Sequence, residues 1–479
     1  MASKILLISV NTCRDPYPVF PLGLGYVDAA LRAASHETHW LDVQADGQPL
    51  GEVVSAFRPD FIGISLRNID DVVIKKRETY FDGLSALCQQ LRLLTASLII
   101  VGGSGFSIFP AALLARSGAD FGIQGEGEHS LVALVAALER GGDWTRIPGL
   151  VHRRDGQITC NLQQAGVPLD ELDPPVRPAR LAEFYLSKSS MLNVQTQRGC
   201  AFHCCYCTYP LIEGRAYRRR APAAVAEELA QIQRQGAAYV FFVDSVFNSS
   251  AEHVAGICEA ILRRGVTLKW GCFLRPANLT AELMKLMARA GLAHIEFGSD
   301  SFCDAVLAAY GKRFTFDDIL HSSELASREQ IDYCHFLICG GPGETRETLA
   351  QGFANSQRLP GGVVLALVGM RVYPGTPLFE QARREGRLPE KADFLQPQYY
   401  LSPELTEEEI FDRLRDFSRR SPNWIVGDPP PEYVRMAEKL RARGVVGPLW
   451  SYFALLQRLR VPTLTNQQEE ESTARPRSH

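Results

Sequence analysis

The chain has no long apolar run, no excess charge of either sign and no second pair of closely spaced cysteines. Each absence removes a class of function. The apolar opening, MASKILLISVNTC, is too short to span a bilayer and lacks a cleavage pattern, so it reads as a buried first strand. A net charge of −3 over 479 residues, 46% of them hydrophobic and 22% charged, gives no reason to expect nucleic acid or an anionic membrane as partner. No RNA-binding module pattern accompanies the basic residues. Twelve cysteines in so long a chain are not a disulfide framework; they fit a reduced compartment, and a cytoplasmic protein is expected. The length allows two to three domains, each with its own core.

What is present is concentrated in residues 193–210, NVQTQRGCAFHCCYCTYP, just after a short extended run. Cys200, Cys204 and Cys207 stand in the spacing Cys-x3-Cys-x2-Cys. Three thiolates so spaced can wrap one corner of an iron–sulfur cube and ligate three of its four irons, leaving the fourth open. A zinc knuckle is the alternative, but structural zinc usually takes four ligands in two pairs, and no second pair follows. Cys205 lies too close to Cys207 to replace Cys204. The cysteines at 258, 272, 303, 334 and 339 scatter along strand and helix patterns and read as core residues.

Through residues 1–140 the runs KILLISV, HETHWLDV, FIGISL, SLIIVGG and ADFGIQG alternate with helical patterns. That order predicts an α/β fold with a doubly wound parallel sheet, whose ligands sit beyond the carboxyl ends of the strands. The loops there are residues 11–15, 65–68, 102–105 and 125–128, and three of them carry glycine or small residues that let a large flat ligand approach the backbone. Residues 141–189 read as a linker, with a hairpin at Asp155-Gly156 and a break at DPPVRPAR. Six further strands in residues 190–390 predict a partial (β/α)6 barrel, open on one side, with its functional groups at the strand carboxyl ends. Residues 391–462 read as a helical C-terminal region with an apolar face, and the polar stretch 463–479 as a disordered tail.

The cysteine spacing resembles the cluster motif of the radical S-adenosylmethionine (radical SAM) superfamily. PLGLGYVDAALRAA, VGGSGFSIFP and FGIQGEGEHSL resemble the cobalamin-binding domain that precedes the barrel in one large subgroup. The resemblance implies three cofactors: a 4Fe-4S cluster on Cys200, Cys204 and Cys207, S-adenosyl-L-methionine, and cobalamin. It implies SAM contacts from Tyr206 at the adenine, Asp244 and Ser245 at the amino group, Arg275 at the carboxylate, and Asp300 or Ser301 at the ribose. Gly340, Gly341 and Gly343 of LICGGPGET would pack against adenine, with Tyr373 nearby. Cobalamin would meet Ser65, Arg67, Gly102, Gly103 and Gly125.

The chain departs from the classical cobalamin domain in one place. The loop after the first strand, NTCRD, has no histidine to set beneath cobalt. Arg67 in SLRNIDD offers a replacement, and this stretch is similar to the tryptophan methyltransferases of thiopeptide biosynthesis, which place an arginine there. A guanidinium stays protonated and is a poor metal ligand, so the lower face would lack a strong ligand. A plainer reading pairs Arg67 with Asp70 or Asp71 to order the loop. The activity implied is C-methylation of a small-molecule biosynthetic intermediate through a 5′-deoxyadenosyl radical and methylcobalamin, with an external one-electron reductant such as flavodoxin or ferredoxin. The alternative is a radical cyclisation or rearrangement with a first domain that adds no methyl group or binds no cobalamin. No motif singles out a catalytic side chain.

Overall fold

The structure, a computed structural model, describes residues 2–14, 17–164, 166–389, 391–427 and 431–458. The expected tail 463–479 lies outside the described residues. In the first sheet, β1 (Lys4–Ser9), β2 (Glu37–Asp42), β3 (Phe61–Ser65), β4 (Leu98–Gly102) and β5 (Phe121–Ile123) run parallel in the order β2-β1-β3-β4-β5. Alternate residues of each strand serve opposite faces. Leu7, Ile100 and Ile123 pack against the helices Leu22–Ala33 and Glu128–Arg140, while Leu6, Ile62 and Val101 pack against Leu50–Phe57, Asp82–Leu94 and Pro110–Ser117. Strand order reverses at β1 and β3, so the crevice for a ligand opens at their carboxyl ends.

The hairpin expected in the linker extends this sheet. β6 (Leu150–Arg154) pairs antiparallel with β5 and turns through Asp155 and Gly156 into β7 (Gln157–Cys160), bringing the sheet to seven strands. Both turn residues have positive φ, 50° and 78°, as a tight hairpin requires.

The six barrel strands form where the sequence places them: β8 (Leu192–Val194), β11 (Tyr239–Phe242), β12 (Lys269–Leu274), β13 (Leu292–Asp300), β14 (Asp332–Cys339) and β15 (Val363–Val368). Between β8 and β11, β9 (Gln197–Arg198) pairs with β10 (Arg218–Arg219). Beyond β15, β16 (Met370–Arg371) pairs with β17 (Tyr399–Tyr400). A seventh parallel strand, β18 (Trp424–Val426), comes from the region expected to be wholly helical and lies beside β15. β8 and β18 are the two edges, so the barrel is open. The helix Leu449–Arg458 packs Trp450 against Cys334, Val363 and Ile425 on the inward face. Among the described residues no helix is long and apolar enough to cross a membrane.

Buried ions hold the two sheets together. Asp70, from the loop after β3, meets Arg371 of β16 at 2.8 Å, with side chains 0% and 4% exposed. Arg371 also donates to the Val372 and Phe394 carbonyls. A second seam joins Arg198 of β9 to Glu128 at 2.7 Å and to Glu126 at 3.3 Å. Removing one partner of a buried pair leaves the other charge stranded. Arg371→Met therefore lowers the stability of the domain docking by ~3–5 kcal/mol, and adding Asp70→Asn recovers part of that loss. Urea unfolding of both variants checks this; an unchanged midpoint for Arg371→Met would show the pair idle.

Candidate active site

The cysteine loop leaves β9 through Gly199, whose φ of 92° and approach to the Ala216 carbonyl, 2.1 Å from where a Cβ would stand, admit only glycine. The Cys200 amide then bonds the Gly214 carbonyl at 3.0 Å, and the Cys205 amide bonds Tyr310 at 2.9 Å. Cys200 is buried; Cys204 and Cys207 are half-buried. Cys205 points the other way, its sulfur 3.7 Å from that of Met370 in an apolar cluster with Tyr310 and Val372. The two adjacent cysteines thus occupy opposite faces of the loop. Among the described residues no three His, Cys, Asp or Glu side chains converge on a single ion. Ligands of an iron–sulfur cube each bind a different iron and need no common point. Burial raises the Cys204 thiol and pushes that of Cys207 up to about 12, so a bound metal is what would hold them as thiolates.

Three groups brace this loop. Tyr206 donates to Asp300 Oδ2 at 2.6 Å, and Lys312 reaches the same oxygen at 2.5 Å, both partners nearly buried. Burial opposes the Lys312 charge, but Asp300 and then Cys204 outweigh it and hold the ammonium protonated well above its usual range. Arg275 ends β12 with its guanidinium 4.5 Å from the centre of the Phe202 ring, inside the loop. Arg275 and Asp300 therefore stand beside the cysteines. Asp300 already receives two donors on one oxygen, and Ser301 accepts from the Cys303 amide at 3.2 Å.

Other expected SAM contacts are placed differently. Asp244 is fully buried and accepts from the Thr196 amide at 2.6 Å, its hydroxyl at 2.5 Å and the Gln197 amide at 3.2 Å. This corrects its assignment to the methionine ammonium: its carboxylate stitches β11 to the turn between β8 and β9. Burial lifts it to about 7 despite those donors. Ser245 donates to the Gly199 carbonyl at 2.9 Å and so anchors the loop entrance. Gly341 presses on Tyr310, 2.2 Å from where a Cβ would stand, and Gly343 faces Ala309. Gly340 faces Ile410 and Leu401, which puts this turn against protein on several sides. Tyr373 is also corrected: its ring stacks beneath Arg371 and beside Phe109 of the first domain, and its hydroxyl faces Asp70.

On the first domain's side, Ser65, Arg67, Gly102, Gly103 and Gly125 all line one cavity of about 290 Å³. Its far wall comes from the barrel domain: Asn193, Gln195, Arg198, Tyr209 and Val243. Asn193 Oδ1 is buried without a hydrogen-bond partner, a sign that a polar ligand is missing there. The volume is at the lower end of the range for small-molecule sites. Arg67 stands in this wall. Asp70 is committed to Arg371 and Asp71 to the Val73 amide, so the loop-ordering pair does not form, and Arg67 has no ion pair among the described residues. Burial lowers its pKa, with Cys13 and Tyr209 opposing that effect. The residues present fit a corrinoid with a cation on this side and no histidine.

Lys312 and Arg371 were not singled out by sequence reasoning. The phrase YGKRFT held the only signal for Lys312, a lysine just past an apolar helix. The two-faced loop makes a testable distinction. After anaerobic reconstitution, Cys204→Ala loses the iron–sulfur absorbance and most bound iron, whereas Cys205→Ala keeps both and only unfolds at lower temperature. Equal loss in the two variants would overturn the assignment.

Comparison with known proteins agrees with this geometry. Residues 194–351 match the family model of the radical SAM superfamily, and residues 9–135 match that of the B12 binding domain. A tryptophan 2-C-methyltransferase of Streptomyces laurentii is 26% identical over 447 residues, covering 78% of this chain and 74% of its own. An anaerobic magnesium-protoporphyrin IX monomethyl ester cyclase of Cereibacter sphaeroides is 24% identical, covering 84% and 66%. The radical S-adenosylmethionine methyltransferase TsrM of Kitasatospora setae, solved with cobalamin and a 4Fe-4S cluster bound, shares the fold at a TM-score of 0.83 and 20% identity, over 99% of this chain and 100% of its own. With a cysteine loop braced at the strand ends of an open barrel and a B12-type sheet packed across from it, the chain belongs to the radical SAM superfamily, in the branch that carries a B12-binding domain.

Proposed function

We propose that the chain is a cobalamin-dependent radical SAM C-methyltransferase acting on a small molecule. The observation that carries this is a cavity walled by both domains, with Arg67 on one side and Tyr209, two residues past Cys207, on the other. Two cofactors set against the same seam can serve one reaction. When bound, the cluster and SAM supply one-electron cleavage chemistry and the corrinoid supplies a transferable methyl group.

The chain's own groups have distinct tasks. Cys200, Cys204 and Cys207 would hold the cluster, and Cys205 and Tyr310 fix their loop from behind. Arg275 would take the SAM carboxylate, through the charge-assisted pairing a guanidinium makes with that group. Tyr206, Asp300 and Lys312 form a rigid clamp that keeps the loop from shifting. Ser65, Gly102, Gly103 and Gly125 would leave room for a corrinoid, and Arg67 would bring a cation, not a metal ligand, to that wall. A low-potential protein such as flavodoxin or ferredoxin is proposed as electron donor, and the cytoplasm as compartment; no disulfide joins cysteines among the described residues, which supports the latter.

The test is anaerobic reconstitution with cobalamin and SAM bearing a carbon-13 methyl group. The expected result is retained corrinoid absorbance and labelled methyl in a small-molecule product. Protein that keeps no corrinoid and transfers no label, yet still cleaves SAM, would favour the cyclisation or rearrangement reading instead.

A further inference from the structure

The barrel wall of the cavity and the cysteine loop are one piece of chain. Residues 199–214 leave β9 and close back on its end, clasped by two hydrogen bonds. The Cys200 amide donates to the Gly214 carbonyl and the Gly199 amide to Glu213 Oε2, each at 3.0 Å. Gly199 is pinned on its other side as well, its carbonyl accepting from the Ser245 hydroxyl at 2.9 Å. Between the cysteines and this clasp lies the short helix Tyr209–Ile212. It packs against Ser104–Ile108 of the first domain, and Tyr209, Ile212 and Glu213 line the cavity. Whatever touches this wall touches the segment that ties Cys207 back to Cys200.

Glu213 also ends a hydrogen-bonded chain that begins in the other domain. Glu128, in the first turn of the helix Glu128–Arg140, accepts from Arg198 Nη2 at 2.7 Å. Arg198 Nε donates to Gln195 Oε1 at 3.0 Å, and Gln195 Nε2 donates to Glu213 Oε1 at 3.2 Å. Only one orientation of the Gln195 amide serves a guanidinium and a carboxylate at once, so the direction of donation is fixed along the chain. Glu128, Arg198, Gln195 and Glu213 all line the cavity. The oxygens of Gln195 and Glu213 each hold one of these donors and have a lone pair to spare. Primary amides, which ring the edge of a corrinoid, are donors of the kind that would use them.

We propose that Glu213 is a positioning residue that couples the two cofactor positions, so that a corrinoid in the cavity tightens the hold of the cysteine loop on its cluster. With their spare lone pairs filled, Gln195 and Glu213 lose freedom to turn away, and the clasp at Gly199 stays closed beside Cys200. The coupling is reciprocal: a loaded cysteine loop holds Glu213 ready for the corrinoid by the same factor. The assignment rests on the cluster and cobalamin readings for its two ligands, and on the chain from Glu128 to Gly199 for its route.

Hydroxocobalamin binding to the anaerobic protein, iron-free and with its cluster rebuilt, measures the coupling as a ratio of affinities. Wild type binds about fivefold or more tightly with the cluster than without, and bound hydroxocobalamin slows the loss of iron to a chelator. Glu213→Gln leaves an oxygen for the Gly199 amide but turns its NH2 toward the Gln195 donor. It therefore keeps its iron while the affinity ratio falls to within about twofold of one. Gln195→Leu, which cuts the chain without touching the loop, loses the ratio in the same way. A role for Glu213 confined to bracing the loop leaves the ratio unchanged in both variants. A ratio within about twofold of one in wild type, or a wild-type ratio in either variant, would overturn the proposal. Protein that takes up no hydroxocobalamin, with or without iron, would remove the cobalamin reading and the proposal together, whereas uptake without coupling removes the proposal alone.

Discussion

Asp70 and Arg371 meet at 2.8 Å with both side chains out of water, and the rest of the site depends on that contact. Neither sheet alone builds a two-cofactor cavity. The first contributes loops at the carboxyl ends of β1, β3, β4 and β5, the second a braced cysteine loop, and they are useful only when aligned. A buried ion pair gains little net energy over an apolar contact, but it penalises misalignment heavily, because a slipped pair leaves two unsolvated charges. Arg371 is held by carbonyls as well as Asp70, and Arg198 makes a second seam with Glu126 and Glu128. Two directional contacts of this kind fix orientation as well as separation.

The same economy of charge explains Arg67. Asp70 is the carboxylate nearest it in sequence that could have neutralised it, and the docking seam takes Asp70 away. Arg67 is left in the cavity wall with its charge unspent. A cation there does not compete for a metal as a histidine would, and it repels other cations from the pocket. On the barrel side, Lys312 is in the opposite situation: Asp300 and Tyr206 bind it so closely that its charge serves the cysteine loop and little else.

The parts of this arrangement legible in the sequence are those encoded locally. Six barrel strands, five parallel strands before them and the three cysteines are contiguous patterns. Ser65, Arg67, Gly102, Gly103 and Gly125 share one cavity because each lies at or just past the end of a strand of one parallel sheet, and strand ends converge by topology. Asp244 shows where local reading stops. It also ends a strand, but with the parity of Val240 and Phe242, which face outward, and not that of Phe241 and Val243. In VFFVDS both faces are apolar, so the alternation that would have revealed its direction is absent. Tyr373 was misplaced for another reason: its partners Phe109 and Asp70 belong to the other domain, and no pattern in one segment encodes docking. β18 is three residues long and forms only because β15 offers an unpaired edge.

Unpaired charge is the most informative residue of this comparison. Nearly every other buried ion near the cleft is accounted for: Arg198 by Glu126 and Glu128, Lys312 by Asp300, Arg371 by Asp70, and Arg220 and Arg177 by Glu228. Arg67 and Glu296 stand apart. They carry opposite signs and lie in different domains. Folding energy alone would disfavour both, since each loses hydration and gains no counter-charge among the described residues. Glu296, on β13, takes one hydrogen bond from Trp450 and is lifted by burial to about 7. The persistence of Arg67 in a chain that pairs its other buried ions is explained if a ligand in the cavity it lines completes it.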